Sequence, residues 1–168
     1  LSGQHAAVPG HTVSGSGGQI VNEEGTNRGI ITLGDSSAGM YLTGGASGRN
    51  EGTVSVGKQS VGIYAAGAGA YVVNNNGIIN VGEESTGIFL SDGIRAENLG
   101  TAEINGTGNK AVGIYSENTA AGAVQITNDN KIDLAGEQSI GIYASGNHNI
   151  SNTGNILIGN SSDPDQPG

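Results

Sequence analysis

Apolar residues recur along this chain in pairs separated by a single position: Ile31 and Leu33, Val54 and Val56, Ile79 and Val81, Ala102 and Ile104, Ile132 and Leu134, and Ile156 and Ile158. The residues between them, Thr32, Ser55, Asn80, Glu103 and Asp133, are polar, with Leu157 the exception. A period of two marks a strand with one buried face. The pattern therefore predicts short strands whose apolar pairs stack into one wall of a core. A second strand per unit follows from Val61, Ile63 and Ala65, with counterparts Ala38, Met40 and Leu42, then Thr86, Ile88 and Leu90, then Ile140, Ile142 and Ala144. That phase turns Gly62 and Tyr64 outward. A third, less regular strand has Tyr71 and Val73, Ile94 and Ala96, Val124 and Ile126, and His148 and Ile150 as its inward positions. No segment keeps a helical period over the length a helix needs.

The units repeat in phase. An aromatic residue stands seven positions after a glycine five times: Gly34 to Tyr41, Gly57 to Tyr64, Gly82 to Phe89, Gly108 to Tyr115 and Gly136 to Tyr143. Asn27, Asn50, Asn75, Asn98, Asn128 and Asn152 lead the units, at steps of 23, 25, 23, 30 and 24 residues. Periods of this length belong to solenoids, in which one unit cannot bury its apolar face alone. The expected fold is all-β: a right-handed parallel β-helix with three short strands per coil and about six coils. Residues 27–159 carry the repeats, residues 1–26 form an irregular lead-in or partial first coil, and residues 160–168 form a polar tail or linker. The six asparagines are expected on the inward side of a corner, passing hydrogen bonds from amide to amide. The glycine two residues after each is expected at positive φ, with Asn130 in its place once.

Composition narrows the partners. Six basic against fifteen acidic residues give a formal charge of −9, so no basic stripe is present to release counterions from nucleic acid. Anionic membrane surfaces are disfavoured for the same reason. Cysteine is absent, which removes disulfides, Cys-based zinc sites and a Cys nucleophile. No apolar run approaches the length of a membrane-spanning helix, so no membrane insertion by this segment is expected. The chain opens on Leu1 and neither end resembles a cap, which reads as a piece of a longer solenoid.

Candidate chemistry is sparse. His5, His11 and His148 are the only histidines, and no nucleophile elbow, zinc-protease motif or P-loop is present. The pairs Glu23/Glu24 and Glu83/Glu84 could serve as a carboxylate set. However, Asp35, Lys58 and Glu83, with Glu84 and Lys110 beside them, read more simply as alternating charges in a solvated turn column. No catalytic, cofactor-binding or metal-binding residue is assigned, and no cofactor is expected. Asp35, Asp129 and Asp133 lack the nonapeptide pattern of calcium-binding repeats. The candidate binding surface is the outward ladder of Tyr41, Tyr64, Phe89, Tyr115 and Tyr143, whose rings could stack on sugars or a partner's apolar surface. Extra residues between repeat landmarks gather at Asn105, Gly106 and Thr107 and at Glu117, Asn118 and Thr119, the candidate loop insertions.

The stretches Asn50 to Tyr64, Asn75 to Phe89 and Asn128 to Tyr143 follow Asn-x-Gly-x-Ile-x-Val-Gly and then Ser-x-Gly-Ile-Tyr, with small departures. This resembles the repeats of passenger domains in large Gram-negative type V autotransporter adhesins, over about residues 27–159. The resemblance implies a non-enzymatic, elongated passenger at the bacterial cell surface, exported through the outer membrane and used in host-cell or interbacterial adhesion and virulence. It also implies further coils and a C-terminal translocator barrel outside this chain, and a partner that is a surface protein or glycan. It supplies no motif that assigns a ligand. The alternatives are a glycan-binding module on the Tyr ladder, a toxin-type passenger and a β-helical polysaccharide lyase.

Overall fold

The computed structural model describes residues 12–15, 18–21 and 25–159, with side chains from residue 26 onward. His5, His11, Glu23, Glu24 and the tail 160–168 lie outside the described residues. Every described element is a strand, so no helix is long and apolar enough to cross a membrane.

Three parallel sheets run the length of the molecule. Sheet I contains β1 (Thr12–Gly15), β4 (Ile30–Leu33), β7 (Thr53–Val56), β10 (Ile78–Val81), β13 (Glu103–Gly106), β16 (Lys131–Leu134) and β19 (Asn155–Ile158). Sheet II contains β2 (Gly18–Val21), β5 (Ser37–Leu42), β8 (Val61–Ala66), β11 (Thr86–Ser91), β14 (Val112–Asn118) and β17 (Ile140–Gly146). Sheet III contains β3 (Gly25–Asn27), β6 (Gly48–Asn50), β9 (Tyr71–Asn75), β12 (Arg95–Leu99), β15 (Val124–Asn128) and β18 (His148–Asn152). Each strand pairs with the strand three places on, so the chain is a parallel β-helix. Five complete coils, from β3–β5 to β15–β17, lie between β1–β2 and β18–β19. β1 and β2 pair with β4 and β5, so two strands of a further coil precede Asn27.

Ile31, Val54, Ile79, Ile104 and Ile132 stack in register on the inner face of sheet I, all with no exposed surface. Met40, Ile63, Ile88 and Ile114 face them from sheet II. Stacking like on like buries each side chain against its copy one coil away, which a single unit could not do. In the last described coil Ile150, in register with the fully buried Ile126, is about half exposed.

Most of the buried polar positions form two columns. Nδ2 of Asn27 donates to Asn50 Oδ1 at 2.8 Å, Asn50 to Asn74 at 2.9 Å, Asn74 to Asn98 at 2.9 Å, Asn98 to Asn128 at 2.8 Å and Asn128 to Asn152 at 2.7 Å. Five of the six expected asparagines are in this ladder; Asn75 is not, and Asn74 takes its place. Asn74 lies 24 residues from each neighbour, and an extra residue, Asn76 at φ 58°, is absorbed at the corner that follows. A one-residue shift exchanges the faces of a strand. Val72 is therefore the inward residue of β9, in register with Ala96, and Tyr71 faces out. The second column, unanticipated, is serine. Ser37 N–H donates to Ser60 Oγ and Ser60 N–H to Ser85 Oγ, both at 3.0 Å, and Ala111 N–H donates to Ser139 Oγ at 3.2 Å.

Three further expectations are corrected. The inward pair of β13 is Ile104 and Gly106, not Ala102 and Ile104, because two extra residues widen the corner at Leu99–Ala102, where Gly100 has φ +68°. Leu134 and Ala111 fill the space beside Gly106. In sheet II, Val61 and its counterparts are not core residues: Gly62 and Ile63 are consecutive and both buried, so the alternation breaks at the glycine. Gly87, its equivalent one coil on, shows why glycine stands there. A Cβ on Gly87 would lie 2.5 Å from Ile104 Cγ2 and 2.6 Å from the Gly113 oxygen. Of the glycines that follow the ladder asparagines, only Gly100 has positive φ. Gly52 and Gly154 are required by close approach instead, since a Cβ would overlap a carbonyl oxygen of the preceding coil. Left-handed backbone appears in another column: Ser36, Gln59, Glu84, Lys110 and Gln138, at φ 52–56°. The first four donate their N–H to a carbonyl of the following coil at 2.8–2.9 Å. That bond offsets a conformation unfavourable for non-glycine residues.

Candidate functional site

Tyr41, Tyr64, Phe89, Tyr115 and Tyr143 form one continuous outward stack on sheet II. Successive ring centroids are 4.9, 5.2, 4.7 and 4.8 Å apart, and the planes differ by 12–19°. These distances match the spacing between neighbouring strands. The rings consequently face each other and turn their edges to solvent. Burial against neighbouring rings raises the Tyr64 and Tyr115 hydroxyls above the usual tyrosine range, so both remain donors at neutral pH. What the column offers a partner is a strip of ring edges and hydroxyls, with Tyr143 the most open at 41% exposure.

The candidate insertions divide. Asn105 and Gly106 are strand residues of β13, not loop, and Thr107 is exposed in the turn after them. On the outer face, Asn105 Nδ2 donates to Asn80 Oδ1 at 3.3 Å and Asn80 to Ser55 Oγ at 3.1 Å. Glu117 and Asn118 end β14, and Thr119 begins the exposed loop 119–123, equal in length to the loop 43–47 at the same corner of an earlier coil. That loop is pinned. Thr119 N–H and Oγ1 donate to Asp92 Oδ1 at 2.7 and 2.8 Å, which lowers the Asp92 carboxyl. Asn118, nearly buried, donates to Gly122 O at 2.6 Å and accepts from Ala120 N–H at 3.0 Å.

The acidic turn residues are engaged in ion pairs and hydrogen bonds. Lys58 Nζ meets Glu83 at 2.7 Å, Lys110 Nζ meets Glu84 at 3.3 Å, and Lys58 N–H donates to Asp35 Oδ1 at 2.7 Å. Among the described residues no three His, Cys, Asp or Glu side chains converge as a metal site would require. His148 Nε2 lies 2.9 Å from Ser116 Oγ, within reach for a nucleophile and base. Ser116 is wholly buried, however, and an incoming substrate has no access to its oxygen.

The sequence reading overlooked the outer face of sheet III. All three arginines, Arg28, Arg49 and Arg95, lie on it or at its edge. Arg28 Nε and Arg49 Nε hold the two oxygens of Glu51 at 2.8 and 2.6 Å, keeping that carboxyl below its ordinary range. Arg95 lies over the Tyr71 ring, 4.4 Å from its centroid. Thr26, Ser47, Gly48, Arg49, Tyr71 and Arg95, floored by Val73, enclose a groove of about 330 Å³. Taking Asn75 as the ladder residue put Tyr71 inside and concealed this cluster. The equal 24-residue steps through Asn74 are the signal that would have revealed it.

No family model matches this chain, and no curated protein or solved structure matches it significantly.

Proposed function

We propose that this chain is a non-enzymatic segment of a bacterial cell-surface passenger whose task is to extend a rod and present side chains along it, as an adhesin of the autotransporter type does. The observation supporting this reading is the unbroken asparagine column through every complete coil. A rod held together by identical coils can lengthen by adding coils without redesigning its core. On this reading the partner is a surface protein or glycan of a host or bacterial cell, met by the outer columns or the loop 119–123. The protein is exported through the outer membrane and carried on the cell surface.

Fluorescently labelled chain incubated with epithelial cells and with Gram-negative bacteria tests the proposal. Saturable binding to either, competed by unlabelled chain, is expected. Absence of binding to both sinks the direct adhesive role, and turnover of acidic polysaccharides by the purified chain sinks the non-enzymatic one.

A further inference from the structure

The full sequence carries a formal net charge of −9, yet among the described residues three guanidiniums gather on one outer face beside only two carboxylates, Glu51 and Glu97. Those carboxylates use little of the donor capacity. Arg49 reaches Glu51 through Nε, the edge nearest its own chain. Arg95 Nε stands 3.8 Å from Glu97, beyond hydrogen-bonding distance, and is buried without any hydrogen-bond partner. A buried donor left unpaired is costly and rare. Arg95 is nevertheless held in place by the ring of Tyr71. The rung beneath Tyr71 carries Ser47 and Gly48, since Gly48 pairs with Val72. Small residues there leave the groove open beside the ring. Thr26 and Ser47 add hydroxyls at its rim.

We propose that this groove binds an acidic sugar, a single pyranose ring bearing a carboxylate. The volume of about 330 Å³ is at the small end of small-molecule sites and suits one sugar residue better than a peptide. Arg49 and Arg95 supply planar guanidinium donors suited to a carboxylate, which a lysine would not match. Tyr71 offers an apolar surface to the ring carbons, and Thr26 and Ser47 offer hydroxyls to the sugar. This assignment stands on the chemistry of the groove and does not depend on the adhesive role, so cells that fail to bind the chain leave it intact.

Titration of the ¹⁵N-labelled chain with 3′-sialyllactose, a hyaluronan tetrasaccharide, lactose and inorganic sulfate, followed by amide shifts, tests it. Saturable shifts at residues 47–49, 71 and 95 with at least one of the two acidic sugars, and none with lactose or sulfate, are expected. Arg95→Gln should weaken binding roughly tenfold, and Tyr71→Leu should weaken it measurably while leaving the aromatic stack of sheet II unshifted. Tyr64→Ala, on the other face, should bind as the parent does. The proposal is overturned if neither acidic sugar gives saturable shifts up to about 10 mM, if lactose or sulfate binds as well as they do, or if both groove variants bind unchanged.

Discussion

The asparagine column occupies the corner between sheets III and I, where Asn50, Asn74, Asn98 and Asn128 have no exposed surface. The aromatic column climbs the outside of sheet II, with its rings half buried and its edges in water. Both rise one residue per coil, and both pair like with like. They differ in what remains when a member is lost. Inside, removing one amide strands a donor on one neighbour and an acceptor on the other, with no water to replace it. Outside, removing a ring exposes two ring faces that water can reach. The inner column should therefore fix the register of the coils, while the outer one adds stability to a register already set.

The sharpest break is Asn98→Ala. It should cost about 3 kcal/mol, because the amide of Asn74 and the carbonyl of Asn128 both lose a partner in a dry corner. Urea unfolding followed by circular dichroism measures it. Asn74→Ala should cost a similar amount, whereas Asn75→Ala, one residue later and half buried, should stay within about 0.5 kcal/mol of the parent. Equal losses at 74 and 75 would refute the ladder as drawn. Next comes Gly87→Ala, expected to cost about 2 kcal/mol, since the new methyl must displace Ile104 or the Gly113 carbonyl in a packed core. Phe89→Ala should cost less, about 1–1.5 kcal/mol, by removing the two central ring contacts of the stack. If it costs more than Asn98→Ala, the inner column does not dominate.

How far these columns could be read from sequence depends on how each is encoded. The Ile31-to-Ile132 wall and the aromatic ladder depend on side-chain type at a fixed phase, and both were legible. The inner column was legible except where Asn74, Asn75 and Asn76 stand together, since three identical residues leave the phase open. That single ambiguity turned Tyr71 inward and hid the Arg49, Tyr71 and Arg95 groove. The left-handed column has no common side chain: Ser36, Gln59, Glu84, Lys110 and Gln138 share a backbone position and nothing else. The serine column sat within the recognised Ser-x-Gly-Ile-Tyr motif. Its role required knowing that the hydroxyl faces the N–H of the preceding coil, which depends on the left-handed residue just before it.

The serine column also contains a gap that can be filled. Ala111 stands where its neighbours have serine, so the bond that Ser37 and Ser60 donate to the next coil has no acceptor hydroxyl opposite Ser85. Ala111→Ser would place an Oγ beside the Ser85 N–H, with the Asn109 carbonyl positioned as Lys58 O is for Ser60. A gain of about 1 kcal/mol is expected, seen as a higher thermal midpoint. A loss instead would mean that the corner has no room, since Ala111 is already fully buried.

Acid should produce the smallest effect, and it separates the two kinds of column cleanly. Glu51, Glu84 and Asp92 have carboxyls held below their ordinary values of 4.5, 4.5 and 3.8: Glu51 by the two arginines, Glu84 by Gln59 and Lys110, and Asp92 by Thr119. A carboxyl whose folded value is depressed contributes stability that is present above its unfolded value and lost as pH falls through the folded one. The thermal midpoint should therefore be flat from neutral pH down to about 5 and then decline slightly, less so at high salt, because all three groups are exposed and screened. Lys58 and Lys131 have the opposite sign, raised above 10.5 by Glu83 and Asp133, so their contribution is present below that value and fades as pH rises through the raised one. The amides, serines and stacked rings do not titrate in the acid range, and the coils should outlast the loss of these ion pairs. A steep cooperative collapse between about pH 5 and 4 would instead place a titrating group inside the core, where the asparagine column is held to govern.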